Sequence, residues 1–457
     1  MRSPEPRRIS AAPFAPLLAK ELREVLGGRA LWIMLLLICP LVGYSFFQAL
    51  SLYGESSVAA RQSAVLAVSL SPFDGILVPT FGAFYVAVTL LFPFVAIRAL
   101  SHEKESGSLR LLIQLPYRAV TVMLAKALAV MCAWLLASLP VVSAVVIWMM
   151  LGGHIAPAET LTLVAGHALY GLLVGAIALF SAAITESAAS AAIVTLALTI
   201  GSWALDLTIA GRPGLFEWIA RVSLTQTLKS FEQGLFSAGL VFGMTLVAAS
   251  LLALAGIWLR PGDRIQTKLL RSLACSVTTV AALAASVLIT FSRDMTEDRR
   301  NSFPLADERL LPTLTAPLEI IVHLAPEDPR YVDLQRNVLA KLERAMPQLT
   351  IRIAVEARPD ADAASYGSIE YRYGTRSDVS RSTSPREILP IIYGLAGVQL
   401  PAPVPSTDYP GYPLVANIDL ALVWFLGALP LLIIGAWLWR RRPPSFAFVT
   451  IRKGEQA

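Results

Sequence analysis

The chain has 457 residues, of which 55% are hydrophobic and only 15% charged, against about 25% charged in a soluble domain. The missing charge falls in runs of roughly twenty apolar residues, each long enough to cross about 30 Å of hydrocarbon, which excludes an ordinary soluble protein. The net charge of +6 is carried at the ends of those runs. That is an orientation signal and not a nucleic-acid face.

The N-terminal "MRSPEPRRIS" is basic, but no short apolar core follows it as a signal peptide requires. "FAPLLAKELREVLGGRA" comes next. Phe14, Leu18, Leu22 and Leu26 recur every four residues beside Leu17 and Val25, while Lys20, Glu21, Arg23 and Glu24 take the other face. The pattern predicts an amphipathic helix at the membrane surface, ended by Gly27 and Gly28. A plain juxtamembrane helix has the same pattern.

Eight spans are predicted, at about 31–49, 76–97, 120–150, 160–184, 187–209, 235–259, 272–291 and 418–439. Pro140 predicts a kink in the third. Lysine and arginine orient them: 1–30 holds six, 98–126 five, 260–271 four and 440–457 five, whereas 51–75 and 152–159 share only Arg61. This asymmetry predicts that both termini are cytoplasmic.

Between the second and third spans lies "RALSHEKESGSLRLLIQLP", residues 98–116, the most polar run in the first half of the chain. A charged turn that orients its neighbours would explain it. So would a rigid element gripped by a soluble partner. Glu186 is expected in a cytoplasmic turn, and Asp206 and Asp419 near outer interfaces. The segment "TIAGRPGLFEWIARVSLTQTLKSFEQGLFS" is expected to form short external helices, with Phe216 and Trp218 as aromatic anchors. An ordinary loop with such an anchor is the alternative.

Residues 293–413 read as an insert between the last two spans. "PLEIIVHL" predicts a strand with Ile320, Val322 and Leu324 alternating. "DPRYVDLQRNVLAKLERAMPQ" predicts a helix with Leu334, Val338 and Leu342 on one face and Pro347 at its end. "LTIRIAVEA", with Ile351, Ile353 and Val355 inward, and "YGSIEYRYG" predict two more strands. "TRSDVSRSTS" reads as polar loop and "PREILPIIYGLAG" as a short helix. Together they form a small βαβ-type unit, followed by a linker rich in proline (Pro401, Pro403, Pro405, Pro410 and Pro413).

Catalytic signatures are missing from the sequence. It has no GxxxxGK[ST] phosphate loop and no nucleophile elbow, so neither an ATPase of that kind nor a hydrolase is expected. Cys39, Cys132 and Cys275 lie in apolar runs and read as core thiols. His102, His154, His167 and His323 lack metal-ligand spacing. No metal and no cofactor is expected on this chain, and no nucleic acid.

The stretch 98–118 resembles the signature region of type-2 ABC exporter permeases. There, a span ends at an arginine, an E-x-E-x-G-[TS]-L run forms a coupling helix, and a leucine-proline step leads into a lysine-bearing helix. The matching positions are Arg98, Glu103, Glu105, Gly107, Ser108, Leu109, Leu115, Pro116 and Lys126, with serine at 108 in place of the commoner threonine. "LLAKELREVLGGRALW" resembles that family's elbow helix and contributes Lys20, Glu21, Arg23 and Glu24. The resemblance covers roughly residues 10–260. The insert, over about 313–397, looks like the external domain of the gliding-motility-type ABC auxiliary proteins, though it has no CxxC.

These resemblances imply a membrane permease subunit of an exporter-type complex in the bacterial inner membrane. A separate ABC ATPase carrying ATP and Mg would drive it, paired with a second permease copy or paralogue. A mechanochemical complex that acts on the cell envelope through the external domain, without transport, is the alternative. An ATP-independent receptor or scaffold leaves the acidic stretch unexplained.

The expected fold class is a polytopic α-helical membrane protein of about eight spans, with a small extracytoplasmic α/β domain between the last two. Its parts are an elbow at 1–30, a six-span core at 31–260, a seventh span at 272–291, the α/β domain at 293–413, an eighth span at 418–439, and a basic tail at 440–457.

Overall fold

The computed structural model describes residues 14–115, 117–209, 224–260, 262–286, 288–325, 328–346, 348–354, 366–401 and 409–440. Phe216, Trp218, Pro347, Val355, Pro403, Pro405, the side chain of Asp206 and residues 441–457 lie outside that set, as does Pro116 of the expected signature.

Helix α1 spans Phe14–Gly27. Among the described residues, eight helices are long and apolar enough to cross a membrane. In chain order they are α2 (Arg29–Ala60), α3 (Phe73–Ser106), α5 (Ala119–Met150), α6 (Pro157–Ile184), α7 (Ala188–Ile209, apolar enough over Ala188–Leu205), α9 (Ala238–Trp258), α10 (Ile265–Ser286) and α13 (Asp419–Arg440). Short helices α4 (Ser108–Gln114) and α8 (Leu224–Glu232) lie between them.

The count agrees with the apolar runs, but several bounds move. α2 continues eleven residues past its expected end, to Ala60, with no proline after Leu50 to stop it. Its added turns meet the far linker: Tyr53 donates to the Tyr412 carbonyl at 2.7 Å, and Ser57 Oγ accepts from Leu414 N at 3.0 Å. The sixth expected span loses its first three residues. Leu235–Ser237 is instead a strand, β1, antiparallel to β2 (Ser292–Asp294). α10 begins seven residues earlier than expected, where Lys268 Nζ donates to the Trp258 carbonyl at the end of α9, at 3.0 Å. α5 breaks at Ser138, two residues before Pro140.

α6 lies at the centre of the bundle, and α10 has no buried residue at all. Small residues on α6 permit close packing. Gly171 lies against the Trp134 ring of α5, and Gly166 against Phe231 of α8. The last span returns to the first. Gly43 of α2 faces Phe425 of α13, whose ring also meets Phe46 at 5.9 Å.

The second core is a four-stranded sheet of order β4-β3-β5-β6, from β3 (Leu318–Val322), β4 (Leu349–Ile353), β5 (Ile369–Tyr373) and β6 (Arg376–Ser380). β3 and β4 are parallel, with Ile320 opposite Ile351, and the other pairs are antiparallel. Parallel strands need a crossover, which is the helical run α11 at 329–345. Leu334, Val338 and Leu342 are buried in that core, as are Ile388 and Ile392 of α12 (Pro385–Ala396). The expectation of polar loop after Tyr373 is corrected. Gly374, at φ +61°, turns the chain into β6. Four of its five side chains are exposed, which hides the strand from apolar periodicity.

Candidate functional site

Leu17, Glu21 and Val25 are spaced by four along α1 and form its buried stripe. Glu21 therefore shares the inward face with two apolar neighbours, and its side chain is 0% exposed. The expectation that Glu21 takes the outer polar face with Arg23 is corrected. Arg23 does face out.

Glu21 meets Lys126 of α5, which is also fully buried. Lys126 Nζ lies 2.8 Å from Glu21 Oε2, 2.7 Å from Glu103 Oε2 and 2.8 Å from the Ala99 carbonyl. The contacts to Glu21 and the Ala99 carbonyl are hydrogen bonds, whereas the Glu103 contact is an ion pair in which Glu103 Oε2 accepts no hydrogen bond. Lys20 completes the cluster, pairing with Glu103, with Glu21 at 3.1 Å and with Glu24 at 3.2 Å. Burial alone would lower the pKa of Lys20. The Glu103 bond and the attraction of Glu21 outweigh it and raise it above the ordinary lysine value.

Glu21, Glu24 and Glu103 converge closely enough to suggest a cation site. The two ammonium groups already supply the positive charge there. The arrangement is an ion cluster that joins α1, α3 and α5.

Glu103 is only 1% exposed. The expectation that it stands on an exposed coupling helix is therefore corrected. "SHEKES" is the last turn and a half of α3, which runs without a break from Phe92 to Ser106. The break comes at Gly107, with φ +74°, and α4 then starts at Ser108. Leu109 and Leu112 turn inward, while Arg110, Leu111, Gln114 and Leu115 are exposed. Glu105, Ser108 and Arg98 are exposed as well.

The sequence pattern passed over Lys104. Its ammonium donates to the carbonyls of Ala182 at 2.5 Å, Ala183 at 2.7 Å and Thr185 at 2.9 Å, at the C-terminus of α6. A cation there is favourable, and the bonds tie the end of α3 to the end of the central helix. Glu186, in the α6–α7 turn, is exposed.

A second polar cluster lies at the opposite end of the bundle. Arg300, just past β2, pairs with Asp74 of α3 and with Asp298 at 3.0 Å. The carboxylate of Glu159, in the first turn of α6, accepts from the Glu297 amide at 2.7 Å. Tyr412 stacks on His154, and both reach the Glu297 carboxylate.

Helices α1 to α7 thus present an amphipathic lead-in, a second span prolonged into a tight turn, and a lysine in the third span that closes an ion cluster. Residues 15–210 match the family described as ABC-2 family transporter protein. That match covers every residue of the ion cluster together with α4, so this part of the chain is similar to an ABC-2 transporter domain. It stops at residue 210, short of the sheet domain. No curated protein and no solved structure matches the chain.

Proposed function

We propose that the chain is the permease subunit of an exporter-type ABC complex in a bacterial inner membrane, driven by a separate ATPase that binds ATP and Mg and docks on α4. In this reading both termini are cytoplasmic, the sheet domain is extracytoplasmic, and a second copy or paralogue completes the pathway. The chain itself does no chemistry. The observation that carries the reading is the buried Glu21–Lys126–Glu103 cluster. It joins the elbow and two spans into one body, and α3 of that body leads through Gly107 into α4. A push on the exposed Leu111 and Leu115 would then move that body as a unit.

The test is co-purification. The wild-type chain should retain an ATPase on affinity resin. Leu111→Asp with Leu115→Asp should reduce retention roughly tenfold if these are docking anchors, with the permease's thermal midpoint unchanged. Full retention in that variant defeats the docking surface.

A non-transporting mechanochemical complex is the second reading. The Arg300–Asp74 and Glu159–Glu297 contacts favour it, since they join the entry of the sheet domain to the bundle. ATPase stimulation by a substrate in liposomes separates the two readings.

A further inference from the structure

A cleft of about 310 Å³ opens between α1, the start of α2 and α3. Its polar lining is Arg23, Glu24, Arg98 and His102, and Val25 and Val95 contribute apolar walls. Glu24 is already paired with Lys20 at 3.2 Å. Arg23 and Arg98 make no ion pair with any described residue. Two guanidinium groups with no acidic partner therefore face one small concavity. The first turn of α2 also borders it through Ala30 and Leu31, and no side chain caps that end. Helix amides without partners favour an anion.

The cleft sits where α1 meets the first residues of a membrane-spanning helix, which is headgroup depth whichever way the chain is oriented. We propose that this cleft binds the phosphate of an anionic phospholipid, with Arg23 and Arg98 as its principal ligands and His102 as a further donor. Guanidinium forks match phosphate oxygens in geometry as well as charge. The apolar walls suit the glycerol and upper acyl carbons of a lipid better than a free ion. Ala99 lines the same cleft and gives its carbonyl to Lys126, so the lipid would rest against the helix turn that holds the ion cluster. The site is independent of which ATPase or substrate the protein uses.

The experiment is a titration of the delipidated full-length chain in detergent, read by native mass spectrometry. Phosphatidylglycerol, phosphatidylcholine and inorganic phosphate serve as separate probes. Phosphatidylglycerol should bind at one site per chain, more tightly than phosphatidylcholine. Each arginine removed should weaken it about fivefold, so Arg23→Gln with Arg98→Gln should lose roughly twenty-five-fold. Arg23→Lys with Arg98→Lys should recover part of that loss. Arg29→Gln with Arg118→Gln removes the same charge outside the cleft and should leave binding unchanged.

Equal affinity for the two lipids overturns the proposal. So does unchanged phosphatidylglycerol binding in the glutamine variant, or an equal loss in the control pair. Displacement of the lipid by equimolar inorganic phosphate would assign the cleft to a free anion and overturn the lipid assignment. The affected side chains are exposed and unpaired, so thermal midpoints should match the wild type. If the glutamine pair unfolds, the lysine pair and the single variants carry the same comparison.

Discussion

Glu21, Glu103 and Lys126 are almost fully withdrawn from solvent, and each charge is tolerable only because the others are there. Glu103→Gln or Glu21→Gln leaves Lys126 with too few counter-charges. Removing one partner of a buried pair costs about 3–5 kcal/mol. Thermal unfolding in detergent should therefore show a large drop for either variant. Glu105→Gln, at an exposed position, should stay within about 0.5 kcal/mol. Equal midpoints for Glu103→Gln and Glu105→Gln would contradict the cluster.

A second residue-scale case lies in the sheet domain. The Arg330 hydrogen bond lowers the Asp328 carboxyl from its ordinary 3.8 to about 2. A depressed carboxyl stabilises the folded state above the unfolded value and loses that contribution as pH falls through the folded one. Stability of the domain should therefore fall between pH 3.8 and about 2, and Asp328→Asn should flatten that part of the profile. Hydrogen exchange of the surrounding amides against pH would show it, and a profile unaltered by the substitution would count against it.

At the scale of elements, Gly107 separates α3 from α4. Its φ of +74° is available to glycine and strained for a β-branched residue. Gly107→Val should cost roughly 1–3 kcal/mol and misdirect α4. If α4 is the docking element as proposed, ATPase retention should fall while Lys104 still anchors α3 to α6. Gly107→Asn, which tolerates that region better, should be milder, and equal effects would remove the backbone argument.

Packing of the last span on the first depends on Gly43. A Cβ added there would lie 2.5 Å from Phe425 Cβ, with no flexible tip to yield. Gly43→Val should detach α13 from α2, seen as faster proteolysis in the 409–418 segment. Proteolysis at the wild-type rate would show that α13 docks by other contacts.

For the whole molecule, the polar network around Arg300 decides whether the sheet domain is tethered loosely or held. Arg300 joins Asp74 and Asp298 while Glu159 receives the Glu297 amide, so the entry to the domain is bonded to two different helices. Arg300→Ala should leave both cores folded and increase hydrogen exchange at 292–301. In the proposed orientation, a cysteine at exposed Ser377 should react with an impermeant thiol reagent in intact spheroplasts. Labelling only after disruption would reverse the topology.

The sequence by itself determined the number of long apolar helices, because hydrocarbon thickness sets the length of a span and that length is a local property of the chain. It also determined the inward faces of β3 and α11, since Ile320 and Val322, and Leu334, Val338 and Leu342, follow the strand and helix periods. Site residues were legible as a motif but not in their roles. Their identity shows that Glu21 and Glu103 are acidic. It does not show whether they face water or a counter-charge. That depended on Lys126, 105 residues along the chain from Glu21. The same holds for Lys104 at the end of α6, for Phe425 against Gly43, and for Arg300 beside Asp74, contacts that exist only once distant helices pack. A charged residue is legible as a surface residue by default, because burying a charge is unfavourable without a partner. Tertiary structure supplied the partners, and so decided which charges lie inside.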